Sequence, residues 1–188
     1  MSKRQDNLTL LYLSASVLAL MIGALLWSAR EAKAQTAEGD WLMRVHIEWI
    51  TQNSELTYHG EPLPTMYLVS DEELWYTVYG RARTDAERES NFAVNAIYDH
   101  TTRSVLVPES YDLMDGTTAH FLVHELVHYL QDINGVLDTE CVSNNEALAY
   151  DLHHDWMEQY QTGGEPTDPL FRIFVTMGCD DHSGMGYR

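Results

Sequence analysis

The residues with the most specific chemistry lie in His120-Phe121-Leu122-Val123-His124-Glu125-Leu126-Val127-His128-Tyr129-Leu130-Gln131, which contains His-Glu-x-x-His. On an α-helix, positions i and i+4 share a face, so His124 and His128 can turn their imidazoles toward one ion. Two neutral imidazoles suit Zn²⁺, which takes nitrogen and sulfur ligands in a tetrahedral array. Glu125 follows the first histidine directly, where its carboxylate can act as general base toward a water that the metal activates. Phe121, Leu122, Leu126, Tyr129 and Leu130 make the rest of the stretch apolar. This is the pattern of a helix buried under an active site, in which a glutamate without a role would be costly. A core helix carrying two histidines and a glutamate for packing alone is the plain alternative.

A catalytic zinc needs a third protein ligand and an open fourth position. Glu146 is the best candidate: it lies 18 positions beyond His128, near the start of a second helical stretch, beside small Ala147 and Ala149 that allow close packing. Ser143-x-x-Glu146 also fits a helix-capping box. Asp151, His153, His154 and His120 are rivals for the ligand position. A negative charge developing on the substrate oxygen would need a donor, for which His153, His154 and Tyr150 are candidates, with Tyr98 and Arg103 behind them.

His124-Glu125-x-x-His128 followed by Asn145-Glu146-Ala147 on a second helix resembles the gluzincin class of zinc metallopeptidases. The resemblance implies that the two histidines and the downstream glutamate bind zinc and that Glu125 is the base. The segment from Ala93 to Val107 resembles the edge strand of compact gluzincins. More narrowly, Cys141, Glu146, Ala149-Tyr150 and Trp156 behind the Val-His-Glu-Leu-Val-His-Tyr-Leu-Gln helix resemble an uncharacterised family of exported bacterial HExxH proteins. The match covers roughly residues 92–160. It departs from thermolysin-like enzymes at Tyr150, four positions past Glu146, where those enzymes carry an aspartate; the nearest acidic residue here is Asp151.

The elements that must hold these residues can be read from periodicity and punctuation. Asp40 to Thr51 spaces Leu42, Val45, Trp49 and Ile50 as an amphipathic helix, with His46 a packed or surface histidine. Thr65 to Val69 reads as a strand, and Ser70 with Glu73 opens a short helix that Gly80 ends. Arg81 to Ser90 is charged and loop-like. Phe92 to Asp99 and Ser104 to Val107 read as two strands, the second stopped by Pro108, with a free edge able to hold an extended peptide. Asp115 or Thr117 caps the central helix, which runs to about Asp132 before Asn134-Gly135. The second helix runs from about Asn144 to Tyr160, ahead of Gly163-Gly164 and Pro166. Phe171 to Met177 is a strand or a short helix.

Lys3 and Arg4 precede an apolar run from Leu8 to Trp27, and Ala32-Lys33-Ala34 offers small residues for cleavage. Residues 1–34 therefore read as a secretory signal peptide, with an uncleaved membrane anchor over residues 8–27 the alternative. Export permits Cys141 and Cys179 to pair in a disulfide. Formal net charge is −18, from 11 basic and 29 acidic residues. Beyond residue 34 there are 7 basic and 27 acidic residues, a net of −20, and no lysine. Such a surface disfavours nucleic acid and anionic lipid as partners.

The sequence thus predicts a compact α+β, zincin-like domain over residues 40–188, with a small sheet packed on the HExxH helix and a second helix carrying the third ligand. It predicts Zn²⁺-dependent hydrolysis of a peptide or protein in the periplasm or outside the cell. The membrane is a partner only through an uncleaved N-terminal segment. A zinc-stabilised envelope module that binds a partner and cuts nothing is the alternative.

Overall fold

The computed structural model describes residues 37–90, 93–160 and 162, all within the unit Gln35–Arg188. The leader, the Phe171–Met177 segment, Cys179 and the Gly163–Pro166 stop signal lie outside the described residues. The fold is α+β. The described residues form five helices and a three-stranded sheet: α1 (Ala37–Gln52), β1 (Thr65–Val69), α2 (Asp71–Tyr79), α3 (Asp85–Glu89), β2 (Ile97–Asp99), β3 (Ser104–Pro108), α4 (Gly116–Ile133) and α5 (Val142–Tyr160). Among the described residues no helix is long and apolar enough to cross a membrane.

The sheet order is β1-β3-β2, with β1 parallel and β2 antiparallel to β3. The strand just before the central helix is therefore the middle strand, and it has no free edge. The expectation of a peptide-binding edge there is corrected: both sides of β3 are paired, and among the described residues the outer strands are β1 and β2. Phe92 to Asp99 contributes only Ile97–Asp99 as strand. Asp99 shapes the turn that follows, accepting from Thr101 N and from the Thr101 and Thr102 hydroxyls. The turn closes on Arg103, at φ 49°.

Local punctuation accounts for most helix ends. Ser70 Oγ accepts from Glu73 N at 3.2 Å, and Gly80 closes α2 at φ 65°. Residues 81–90 are not simply loop. Thr84 and Glu87 form a full capping box, which turns Asp85–Glu89 into a short helix that charge alone had hidden. Asp115 caps α4 by accepting from Thr117 N at 3.0 Å. At its other end the Asn134 side chain meets the Thr57 backbone and hydroxyl, tying the α1–β1 connection to α4.

α4 is the centre of the domain and touches α1, α5, β2 and β3. Leu122, Val123, Leu126, Val127, Tyr129 and Leu130 are fully buried, so this helix has apolar neighbours nearly all round. α1 contributes Leu42, Met43, Ile47, Trp49 and Ile50, and the sheet Met66, Val105 and Val107. His46, not Val45, lies on the buried face of α1, packed against Trp156 at 4.6 Å between rings. Buried Ala149 on α5 lets that helix approach α4 closely.

Truncating a side chain at this centre leaves a cavity that fixed neighbours cannot fill. Leu126→Ala is expected to cost about 2–5 kcal/mol of folding free energy, read as a fall in the urea midpoint with an unchanged m-value.

Candidate metal centre

The α4–α5 interface carries a face of ionisable groups. His120, His124 and His128 repeat at i+4 along α4, and Glu146, Tyr150 and His153 lie opposite on α5. Where these faces meet, His124 Nε2 lies 3.2 Å from Glu146 Oε2, and His128 Nε2 lies 3.4 Å from Glu146 Oε1. The two Nε2 atoms are 3.2 Å apart. His124, His128 and Glu146 form a group that could hold a metal ion, with one ligand atom from each within 4.8 Å of the others.

The electrostatics follow from this proximity. Burial alone would push the His128 pKa down, but the Glu146 carboxylate holds it up at about 9. Burial would likewise raise Glu146, yet its bonds to His124 and His128 hold it well below the usual carboxylate range. In the metal-free protein a shared proton thus does what a cation would do: it offsets a buried negative charge.

Glu125 is not one of the three converging groups but lies close enough to interact with all of them. Its Oε2 accepts from the Tyr98 backbone N–H at 2.6 Å, which joins α4 to the edge strand β2. Burial raises its pKa, with His124 and His128 opposing.

The site is braced by a residue that sequence reasoning missed. His128 Nδ1 lies 2.9 Å from Gln131 Oε1, and Gln131 Nε2 donates to the Asn145 carbonyl at 3.0 Å. The signal was present as a polar residue three positions past His128 on an otherwise apolar helix. Asn145 in turn exchanges hydrogen bonds with the Asp138 backbone, and Asp138 Oδ1 accepts from Cys141 N. Cys141 is disulfide-bonded.

The other expected site residues divide. Tyr150 sets its ring 4.7 Å from that of His124, edge-on. His153 is buried against His120, with rings 4.5 Å apart. His154 is half-buried, 5.6 Å from the His153 ring, and Asp151 is exposed. None of His120, Asp151, His153 and His154 joins the converging group. Tyr98 and Arg103 direct their polar ends to Asp132, at 2.7 and 3.3 Å. Ser143 lies inside α5, and the Glu146 carboxylate is engaged by the two histidines, so the capping-box alternative does not describe it.

Residues 31–181 match the family described as Domain of unknown function (DUF6647). The chain belongs to that family. The matched region contains the whole of the α4–α5 face and leaves the apolar run of residues 8–27 outside it. No curated protein and no solved structure matches the chain.

Three buried histidines outside the group are held neutral. Burial lowers His46 and His120 to about 4, and His153 to about 2 with help from His120. Their folded pKa values lie below the ordinary 6.5, so the unfolded chain binds more protons as pH falls. Their stabilisation is complete above about pH 6.5 and is lost on descent toward about pH 4, while Glu125, whose pKa burial raises, acts in the opposite sense. The metal-free protein is therefore expected to lose stability between those limits in urea titrations. His153→Leu should flatten the slope by one proton, about 1.4 kcal/mol per pH unit.

Proposed function

We propose that the chain is an exported zinc-dependent peptide hydrolase in which His124, His128 and Glu146 hold the metal and Glu125 is the general base. The observation that carries the reading is the convergence of those three ligand atoms with an adjacent carboxylate that takes no part in holding the ion. Zinc bonds of about 2.0–2.1 Å at tetrahedral angles set ligand atoms about 3.3 Å apart. The two imidazole nitrogens stand 3.2 Å apart, close to that spacing, and with one Glu146 oxygen as the third donor the ligand atoms lie within 4.8 Å of one another. Two imidazoles and one carboxylate are also a donor set that leaves the fourth position open for chemistry.

When bound, zinc supplies a Lewis acid that activates water and polarises a carbonyl. Glu125 removes a proton from the attacking water as its oxygen bonds to the peptide carbon. The same carboxyl then gives that proton to the amine nitrogen as the C–N bond breaks. Its burial and raised pKa suit a group that must both take and return a proton. Tyr150, beside His124, is the donor we assign to the substrate oxyanion; His153, buried and neutral, is better suited to packing. A peptide is expected to lie along the outer edge of β2, next to Glu125. The disulfide at Cys141 and the apolar, small-residue leader support export.

A second reading is favoured by one specific contact. The 2.6 Å bond from Tyr98 N–H to Glu125 gives this carboxylate a structural use, as it would have in a zinc-stabilised module that cuts nothing.

The two readings separate in one pair of variants. Zinc analysis of the protein beyond the leader should give one equivalent, and Glu146→Ala should retain little. Glu125→Gln should keep its zinc and lose hydrolysis of a peptide library by at least about 10²-fold. Full hydrolysis in Glu125→Gln would sink the base assignment. No hydrolysis in either protein, with lowered stability in the variant, would select the non-catalytic module.

A further inference from the structure

A histidine ligand works only if the correct ring nitrogen is free of its proton. Here that choice is made by Gln131. The Asn145 carbonyl can only accept, so the Gln131 amide must turn its NH₂ toward it, at 3.0 Å. That turns Oε1, also acceptor-only, toward His128 Nδ1 at 2.9 Å. Nδ1 must then carry the proton, and the lone pair of the neutral ring is left on Nε2, the atom that faces Glu146 and His124.

The same amide joins the two ligand helices. Gln131 lies on α4 one turn past His128, and Asn145 immediately precedes Glu146 on α5. Gln131 is buried, and both of its polar ends are used. One of the two histidine rings thereby gains a hydrogen-bond partner on Nδ1. His124 has none among the described residues: its Nδ1 is buried without a hydrogen bond. The brace is therefore asymmetric, and the order imposed on the site depends on His128.

We propose that Gln131 is the positioning residue of this site: it fixes His128 in the Nδ1–H tautomer and locks the Glu146 end of α5 to α4, so that both ligands meet one ion. This rests on the metal-binding reading above. Outer partners of ligand histidines typically change metal affinity by about 10–100-fold.

The test uses cobalt alone as probe, in the protein beyond its leader, with Gln131→Leu and Gln131→Glu. The parent should bind cobalt and show a slowly exchanging, hyperfine-shifted ring N–H from His128. Gln131→Leu should weaken cobalt binding about 10–100-fold and lose that signal or make it exchange rapidly. Gln131→Glu keeps an acceptor for the ring and should keep the signal, while losing the link to Asn145 and binding cobalt more weakly than the parent. General damage to the fold would not separate the two variants in this way. Cobalt affinity and an N–H signal equal to the parent's in Gln131→Leu would overturn the proposal. A parent that binds no cobalt would instead overturn the metal reading. The ¹⁵N shifts of the metal-free His128 ring, taken well above its titration, then decide Gln131 separately. An Nδ1–H tautomer lost in Gln131→Leu sustains its role in setting the ring, and the same tautomer in both proteins ends it.

Discussion

Two imidazoles and a carboxylate share one buried place between α4 and α5, and the cost of putting them there shapes the domain around them. Three such groups with nothing between them would be expensive to bury, because each would give up water for a partner of limited capacity. The structure meets that cost by clustering opposite tendencies: Glu146 favours a cation and His128 becomes one when no metal is present. If this group holds a divalent ion, as we propose, that ion takes the place of the proton, which would link metal uptake to proton release.

The rest of the fold serves this arrangement by limiting how the helices can move. The apolar positions of α4 lock it against α1 and the sheet, while Ala149 brings α5 close enough for Glu146 to reach both rings. A polar chain runs beside the apolar one, from His128 through Gln131 and Asn145 to the Asp138 turn that receives Cys141. α5 is thus held by hydrogen bonds beside Glu146 and by packing farther along, where Leu152 and Trp156 enter the core. Glu125 is fixed differently, from the sheet side through Tyr98 N–H, so this carboxylate and the His124–His128–Glu146 group are positioned by separate parts of the fold.

Histidine has three uses on these helices. His124 and His128 converge on Glu146. His120 and His153 pair ring against ring, one turn farther along, and His46 packs on Trp156. The last three are neutral because they are buried among apolar and aromatic neighbours rather than beside a carboxylate. Identical side chains therefore respond to acid in opposite ways, according to whether a carboxylate lies within reach.

The sequence by itself determined what depends on near neighbours in the chain. The i, i+4 spacing put His124 and His128 on one face, Asp115 and Asn134 marked the ends of α4, and Ser70 and Gly80 bounded α2. Each is a matter of helical geometry or a backbone group reached within one turn. Even the short helix at Asp85 was legible in Thr84 and Glu87, once charge was not read as loop. Glu146 was nominated by the same local reasoning, but that it converges with His124 and His128, and Asp151, His120, His153 and His154 do not, appears only in the approach of two helices. Sheet order was also beyond local reading, because nothing in Ser104–Pro108 says which strands will flank it; long-range pairing made it central. So too with Gln131, whose role appears only when a carbonyl on α5 fixes the orientation of its amide. The local code chose the side chains and the face on which they lie, and tertiary packing chose their partners, because hydrogen bonds and charges act over a few ångströms that only the folded chain brings together.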